Sequence, residues 1–484
     1  MRHAHTVEQV RAAEAELMAR LPAGTLMQRA ATGLAVTCAG LLPRVYGSRV
    51  LVLAGSGDNG GDALYAGARL ARRGARVRAV LLSPQRVHAH ALAALRAAGG
   101  GVTQDRTEFE RADLVLDGIV GIGGRGGLRP EAQPYAGMAR RGPVVAVDVP
   151  SGVDADTGEV AGVALRADVT VCFGTHKPGL LVDPGASYAG VVRLVEIGLT
   201  LPRAPVTALQ HADLAALLPH PGAESDKYRR GVVGIAAGSA RYPGAALLAV
   251  AGALRGGAGA VRYAGTAAEE VVRRFPEALV TGGGPAGAGR VQAWVVGPGG
   301  GHGAGEALAQ ALATGVPVLV DADALTELAG LGPAALAGRT APVLLTPHTG
   351  EAARLLAGLD GGAPPSAESL GAARLATARR LAAGYGATVL LKGSTTVVAD
   401  GSAAVRVNPT GTPWLATAGS GDVLSGLAGS LLASGLSPLD AASGAAYLHG
   451  LAGRRAARDG APVTAMEVAG ALRGAWRAVR RDAG

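Results

Sequence analysis

Short, almost unbroken runs of Val, Leu, Ile and Ala alternate along this chain with Ala-rich stretches of helical periodicity, and the alternation starts twice. Runs of this kind show no polar face, so a strand made of one must be buried on both sides. The architecture that achieves this is a parallel sheet with helices on both faces. In the first half the runs fall at 49–54, 77–82, 114–117, 144–149, 169–173 and 191–195. Two helices precede them: Thr6 and Gln9 make a capping-box pattern before 7–21, and 25–42 follows. Residues 198–209, with Pro202 and Pro205, interrupt both periodicities and mark a domain boundary. A second alternation begins at 232–237 and continues through 293–296, 318–321, 343–346 and 389–391, and the chain ends helical over 421–480. Residues 282–289 and 358–365 read as exposed turns. A chain of 484 residues is too long for one ordinary core. Two α/β domains are expected, a doubly wound one over 1–205 and a second over 206–484.

Apolar residues make up 49% and charged ones 17%, which excludes a disordered chain. The formal charge of +9 suits anionic small molecules better than nucleic acid: the arginines are dispersed, and 3% aromatics give bases no stacking platform. Lysine is the informative cation. Lys177, Lys227 and Lys392 are the only ones, and each lies in a motif-like stretch, H-K-P-G, S-D-K-Y-R-R-G and K-G-S-T-T. Where Arg is the default, a Lys suggests a need for a compact, flexible point charge. Cys38 and Cys172, both in apolar contexts, argue against a disulfide framework or metal cluster and fit a reducing cytoplasm. The N-terminus is polar and lacks an apolar signal core. The longest uncharged run, 423–439, is short and rich in Gly and Ser, so no membrane association is expected.

Chemistry concentrates in the second half at Ala418-Gly419-Ser420-Gly421-Asp422, which opens an uncharged helical run. Small residues there let backbone N–H groups converge on an anion, and a helix N-terminus adds partial positive charge. Asp422 would repel a phosphate and is better placed as a base for a nearby hydroxyl. The plainer reading is an Asp N-cap. Against it stand Lys392-Gly393-Ser394-Thr395-Thr396 after one apolar strand and Thr346-Pro347-His348-Thr349-Gly350-Glu351 after another, which together make a phosphate-transfer constellation.

In the first half, strand 50–54 leads into Gly55-Ser56-Gly57-Asp58-Asn59-Gly60-Gly61-Asp62 and a helix. Strand, glycine turn and helix form a dinucleotide-phosphate geometry, but Asp58, Asn59 and Asp62 are unlike a pure pyrophosphate cradle. Asp117 ends a strand before the loop 121–127, and Asp148-Val149-Pro150-Ser151-Gly152 ends another. Strand carboxyl ends line the ligand crevice of an open α/β sheet. Asn59, Asp117 and Ser151 offer hard oxygen ligands for a cation, and Asp148 can serve as acid or base. These Asp residues could instead cap turns, but their equivalent strand-end positions favour a shared crevice.

The set G-S-G-D-N-G-G-D, L-D-G-I-V-G-I-G-G-R-G, D-V-P-S-G-V and F-G-T-H-K-P-G-L resembles the NAD(P)H-hydrate epimerase domain. The second half, with S-D-K-Y-R-R-G-V-V-G-I-A-A-G-S, V-G-P-G-G-G, D-A-D-A-L, T-P-H-T-G-E, L-L-K-G-S-T-T and N-P-T-G-T-P-W-L-A-T-A-G-S-G-D-V-L-S-G, resembles the ADP-dependent NAD(P)H-hydrate dehydratase. Fused in this order over nearly the whole chain, they are similar to the bifunctional bacterial nicotinamide nucleotide repair enzymes.

The resemblance implies a Rossmann-like domain followed by a ribokinase-like one. It implies epimerisation of the R and S hydrates NADHX and NADPHX, and dehydration of the S form at the expense of ADP, giving AMP and phosphate. It places potassium on Asn59, Asp117 and Ser151. It places the hydrate of the epimerase on Asp58, Asn59, Gly60, Gly61 and Asp62, on Gly121, Ile122, Gly123, Gly124, Arg125, Gly126 and Gly127, and on Asp148. In the dehydratase, Ala245, Gly299, Gly301, His348 and Asp422 would face the hydrate. Lys392, Gly393, Ser394, Thr395, Thr396 and Gly421 would hold ADP, with Mg2+. Asp148 and Asp422 are the implied catalytic residues, and a homo-oligomer is implied. Asp58 stands where the family usually has Asn, and Gly300 where a larger apolar residue is usual. Two alternatives remain at this point: a ribokinase-like small-molecule kinase, against which His348 stands where sugar kinases tend to carry Asn, and a non-catalytic first half.

Overall fold

The structure, a computed structural model, describes residues 1–402 and 404–481. It divides into two compact units, His3–Val206 and the remainder from Thr207 onward together with Met1–Arg2.

The first unit is built on seven parallel strands. Across the sheet they run Gly101–Val102, Arg76–Leu81, Arg49–Ala54, Leu114–Gly118, Val144–Val147, Val169–Phe173 and Val191–Val195. In sequence order this is third, second, first, fourth and onward to the seventh, the doubly wound order whose direction reverses between Arg49–Ala54 and Leu114–Gly118. A crevice forms at that reversal because the two adjoining connections leave to opposite faces. Helices Thr25–Leu41, Asp58–Arg72 and Ala89–Ala97 cover one face, with Leu34, Leu64, Leu70 and Leu95 inaccessible to solvent. Phe109, Leu128 and Tyr135 cover the other.

The second unit carries strands in the order Leu279–Thr281, Ala260–Ala264, Val232–Ala236, Ala293–Val296, Val318–Val320, Val343–Leu345, Thr388–Leu391, Thr396–Ala399 and Val405–Asn408. The first seven are parallel, and the last two run antiparallel as a hairpin. Helices Pro243–Arg255, Ser420–Ala433, Pro438–Ala456 and Ala465–Arg481 share one core with the inward residues Val233, Ile235, Val295 and Leu319. No helix among the described residues is long and apolar enough to cross a membrane.

The long strands stand where the apolar runs put them, within two residues at each end. Several shorter elements do not. The stretch 198–209 contains the strand Val206–Ala208 rather than being wholly irregular. Strand Ala260–Ala264 was hidden because Arg262 interrupts its buried alternation of Val261 and Tyr263. Helix Thr349–Asp360 runs into the segment read as a turn from 358. The terminal helical region resolves into three α-helices. Gly435 (φ 94) ends the first, and Ser437 caps the second through the Asp440 N–H. Thr464 and Glu467 then form a reciprocal cap on the third.

The helix pair Pro243–Arg255 and Ser420–Ala433 meets backbone to backbone. A Cβ at Gly426 would lie 1.9 Å from the Ala249 carbonyl oxygen, and one at Gly252 would lie 2.2 Å from that of Val423. Only glycine allows this approach, and the two helices carry site residues at their N-terminal ends. Gly426→Ala is expected to destabilise the second unit by about 1–3 kcal/mol through overpacking. Chemical denaturation would show this as a lower midpoint with unchanged slope, whereas an unchanged midpoint would mean the helices are not held this closely.

Candidate active sites

In the first unit the crevice is built from three strand ends. After Arg49–Ala54 the chain turns at Gly55, where a Cβ would come within 1.9 Å of the Ile119 carbonyl oxygen. Glycine therefore lets two strand-end loops touch. Helix Asp58–Arg72 follows, with Gly57 as its N-cap, so Asp58, Asn59, Gly60, Gly61 and Asp62 form its first turns. Asp58 is exposed there, and a carboxylate in a first turn suits the helix dipole, which accommodates the departure from Asn.

Asp117 is fully buried. Its Oδ1 accepts from the Ser151 hydroxyl at 2.6 Å and its Oδ2 from the Ser151 N–H at 2.9 Å. The Val120 N–H donates to the Ser151 hydroxyl at 3.0 Å. A Cβ at Gly121 would lie 2.8 Å from Asn59 Oδ1, so Asn59, Asp117, Ser151 and Gly121 converge. Burial pushes Asp117 up to about 6, against the hydrogen bonds from Ser151 and Ile119. Not all of the 121–127 loop faces the crevice. Ile122 packs with the Val149 and Val153 cluster, and Gly127 abuts the backbone of 161–163. Gly123, Gly124, Arg125 and Gly126 lie on a loop, with Arg125 and Gly126 exposed.

Asp148 sits at the centre of a three-residue turn, with φ 66 and the Val149 N–H donating to the Val147 carbonyl at 2.9 Å. A non-glycine residue in this region stores strain, which persists where neighbours over-determine it. Here they do: Asp148 Oδ1 accepts from Lys177 Nζ and, at 3.1 Å, from the Phe173 N–H. Lys177 is wholly buried and also donates to the Phe173 carbonyl at 3.0 Å. Beside this pair, Asp62 is buried with one carboxyl oxygen lacking a hydrogen-bond partner. Its pKa stands well above the usual range, through burial first and then the charges of Asp148, Asp58 and Glu14. Asp62 is thus disposed to hold a proton beside the Asp148–Lys177 pair. Lys177 was set apart in the sequence by its rarity, but nothing local tied it to Asp148. Glu14, raised by burial and by Asp148, carries no motif at all.

In the second unit, Gly419 (φ 83), not Asp422, caps helix Ser420–Ala433, so the N-cap reading of Asp422 does not hold. Asp422 lies in the helix's first turn and makes no hydrogen bond or ion pair among the described residues. Burial, then Asp321, raises it to about 7 despite Lys392, with Asp323 and Glu351 adding to the rise. Lys392 Nζ bonds Asp321 Oδ1 at 2.8 Å and lies 3.5 Å from Glu351 Oε2. Burial favours neutral Lys392, but Asp321, Glu351 and Asp422 outweigh it and raise its pKa. A Cβ at Gly421 would lie 3.6 Å from Lys392 Nζ, which brings the two nucleotide-site candidates together. Gly393 and Ser394 form an exposed turn, Thr395 is buried, and Thr396 opens the next strand.

His348 is the N-cap of helix Thr349–Asp360. Its Nδ1 accepts from the Gly350 N–H at 3.0 Å, and Glu351 returns a bond to the His348 N–H at 2.7 Å. The ring remains half exposed beside Lys392's partner Glu351. Ala245 lies under Gly299, whose Cβ would approach the Ala245 Cβ to 2.6 Å, and the Gly301 N–H donates to Asp323 Oδ2 at 2.9 Å. Beyond Gly301 a cavity of about 660 Å3 is lined by Ser239, Tyr242, Thr266 and Asp323. Sequence reasoning placed Glu351 in its constellation without a role, and it missed Asp321 and His449. His449 is buried beside the Ser420 backbone and lowered to about 4 by burial, so it stays neutral at the helix start.

A doubly wound unit with a strand-switch crevice, joined to an α/β unit with a glycine-capped helix over a buried Lys–Asp pair, defines an enzyme of nucleotide chemistry. Residues 233–473 match the family model described as NAD(P)H-hydrate dehydratase, and residues 23–179 match that of the YjeF-related protein N-terminus. The bifunctional NAD(P)H-hydrate repair enzyme Nnr of Mycobacterium leprae is 50% identical, over 96% of each chain. Its Mycobacterium tuberculosis counterpart is 51% identical over 92% of each. The ADP/ATP-dependent NAD(P)H-hydrate dehydratase of Bacillus subtilis, co-crystallised with ATP and Mg2+, is 30% identical with a TM-score of 0.51, covering 57% of this chain and 99% of that one. The chain belongs to the family of bifunctional NAD(P)H-hydrate repair enzymes, and its second unit is ribokinase-like.

Removing one partner of a buried ion pair typically costs about 3–5 kcal/mol. Lys177→Met should lower first-unit stability by that order and abolish epimerisation, because the Asp148 carboxylate loses its charge partner. Denaturation with epimer exchange followed by NMR checks both. Unchanged exchange in a folded variant would remove Lys177 from the site.

Proposed function

We propose that residues 1–205 interconvert the R and S hydrates of NADH and NADPH, and that residues 206–484 dehydrate the S form using ADP. The observation that carries the second half is Asp422: an unpaired carboxylate with pKa about 7, at a glycine-capped helix start beside Lys392. The hydrate bears a hydroxyl on ring carbon 6, next to the ring nitrogen. Hydroxide leaves poorly and phosphate leaves well. Asp422 takes the hydroxyl proton as the oxygen attacks the terminal phosphorus of ADP, and the P–O bond to AMP breaks. N–H groups of Gly419 and Gly421 stabilise charge on the moving phosphoryl group, with Lys392 and residues 393–396 holding the nucleotide. The ring nitrogen's lone pair then expels phosphate, and loss of the carbon-5 proton restores the dihydropyridine.

No group of three or more His, Cys, Asp or Glu that could hold a metal occurs among the described residues. Both Asp321 oxygens are already engaged, by Lys392 and by Ser425 at 2.6 Å. Mg2+ therefore fits as an ion carried on the nucleotide's phosphates rather than in a protein cage. In the first unit the donor set fits a monovalent cation. Asp117 is buried with neutral hydrogen-bond donors and, among the described residues, no basic partner, and Asn59 Oδ1 lies beside Gly121 in the same crevice. Asn59, Asp117 and Ser151 would hold potassium, which supplies the missing counter-charge when bound. Asp148 moves the proton there, with Asp62 as its protonated neighbour. Cytoplasmic residence, consistent with the buried free thiols Cys38 and Cys172, and self-association into a homo-oligomer complete the reading.

Asp422→Ala should abolish recovery of reduced-cofactor absorbance from the S hydrate and ADP while epimer exchange persists. A base with pKa near 7 is active when ionised, so log kcat/KM for dehydration should fall with unit slope below about pH 7 and level off above it. Loss of both activities in a folded variant, or a profile that falls as pH rises through 7, contradicts the assignment. ATP replacing ADP without loss of rate would correct the co-substrate alone.

Epimer exchange should rise when potassium replaces a large organic cation at fixed ionic strength, and Asp117→Ala should remove that response. An Asp117→Ala protein that still responds to potassium would place the ion elsewhere.

A further inference from the structure

The second unit holds another cavity, of about 410 Å3, that neither reaction uses. It opens at the far ends of the two helices that frame the dehydration site. Helix Pro243–Arg255 begins beside Ala245 and reaches the cavity with Leu254 and Arg255. Helix Ser420–Ala433 begins with Asp422's turn and reaches it with Ser430 and Leu431. At about 1.5 Å per residue, Asp422 and Ser434 are roughly 18 Å apart along the helix axis, so the cavity is separate from the reaction site.

Arg229, Arg230, Arg255, Arg473 and Arg480 line it, and among the described residues no Asp or Glu does. Three of these are tied to backbone carbonyls. Arg229 donates to Glu224 at 2.9 Å, Arg230 to Gly257 at 3.2 Å and Arg480 to Pro219 at 2.9 Å. Arg255 and Arg473 make no hydrogen bond or ion pair among the described residues. Burial, then Arg274, lowers the pKa of Arg255, with Glu277 acting the other way. Two helix C-termini add about half a negative charge each, which leaves most of the positive charge unmatched. Trp476 forms one wall, with Arg480 5.7 Å from its ring centre, and its indole N–H is buried without a partner. The S-D-K-Y-R-R-G stretch, which the two reactions leave unexplained, supplies Ser225, Arg229 and Arg230 to the rim.

Unpaired guanidinium groups suit a phosphate, and an indole face suits a flat heteroaromatic ring. A cavity of this size falls within the range of small-molecule sites. We propose that it is a second, non-catalytic ligand site, for a nucleoside phosphate.

The test uses the full chain labelled with fluorotryptophan. Its three tryptophans give three fluorine NMR signals, and Trp476→Phe assigns the relevant one. AMP is titrated into the wild type and into Lys392→Ala, where the catalytic nucleotide site is weakened. A saturable shift of the Trp476 signal is expected in both. Arg255→Ser with Arg473→Ser should weaken the apparent affinity about tenfold or more, with thermal stability unchanged, because neither side chain has a hydrogen-bond partner to lose among the described residues. A Trp476 signal unmoved by millimolar AMP, or moved equally in the double variant, overturns the proposal. So does inorganic phosphate reproducing the shift at the same concentration, which would reduce the cavity to a bare anion site. A signal that follows protein concentration rather than AMP would put a second copy of the chain there instead.

Discussion

Parallel strand pairing places every candidate group of each unit on one edge. When strands run the same way, all their carboxyl ends finish together, and whatever follows each strand is gathered without any further device. In the first unit, strands Arg49–Ala54, Leu114–Gly118 and Val144–Val147 deliver Asn59, Asp117 and Asp148 in this way. In the second, strands Val318–Val320, Val343–Leu345 and Thr388–Leu391 deliver Asp321, His348 and Lys392. Residues over a hundred positions apart thus become neighbours: Ser425 reaches Asp321 at 2.6 Å. The sheets are rigid because they are buried on both faces, and the loops at their ends inherit that rigidity.

Both units then solve one electrostatic problem in the same manner. A lysine taken out of water is costly unless a carboxylate and hydrogen bonds meet it. Lys177 has Asp148 and the Phe173 carbonyl; Lys392 has Asp321 and Glu351. Replacing such pairs with apolar residues would often cost the fold nothing, so stability alone does not explain them. In each case the pair fixes a charge beside an acidic group with a raised pKa, Asp62 in one unit and Asp422 in the other.

What the sequence made legible follows from range. Long apolar runs report burial on both faces by themselves, so strands such as Val169–Phe173 could be read residue by residue. Glycine-rich turns next to them report close approach, and Gly55 and Gly419 meet that demand. Short strands such as Leu279–Thr281 are defined by their neighbour in the sheet, not by their own three residues. Asp321 looked like an ordinary strand-end acid and Glu351 like one more member of its motif, because what sets them apart is a lysine that approaches across the sheet. His348 shows the converse. Its motif was plain, but its capping of helix Thr349–Asp360 could be seen only once the Glu351 side chain was placed.

The two candidate bases are treated in opposite ways, and the difference matches what each must do. Asp148 is fixed by a strained turn, a lysine and a backbone N–H, so its carboxylate cannot swing. An epimerase must return a proton or hydroxyl to either face of one ring carbon, and a base of fixed position leaves the substrate as the part that changes face. Asp422 has no partner among the described residues, so in the proposed reaction its carboxylate is free to follow an oxygen that moves as it is phosphorylated. Its raised pKa comes from burial and from the acids that hold Lys392, so the same cluster that secures this cation also makes Asp422 more basic. On the proposed mechanism, nucleotide binding and base strength in the second unit share one set of residues, and a change at Asp321 or Glu351 would alter both together.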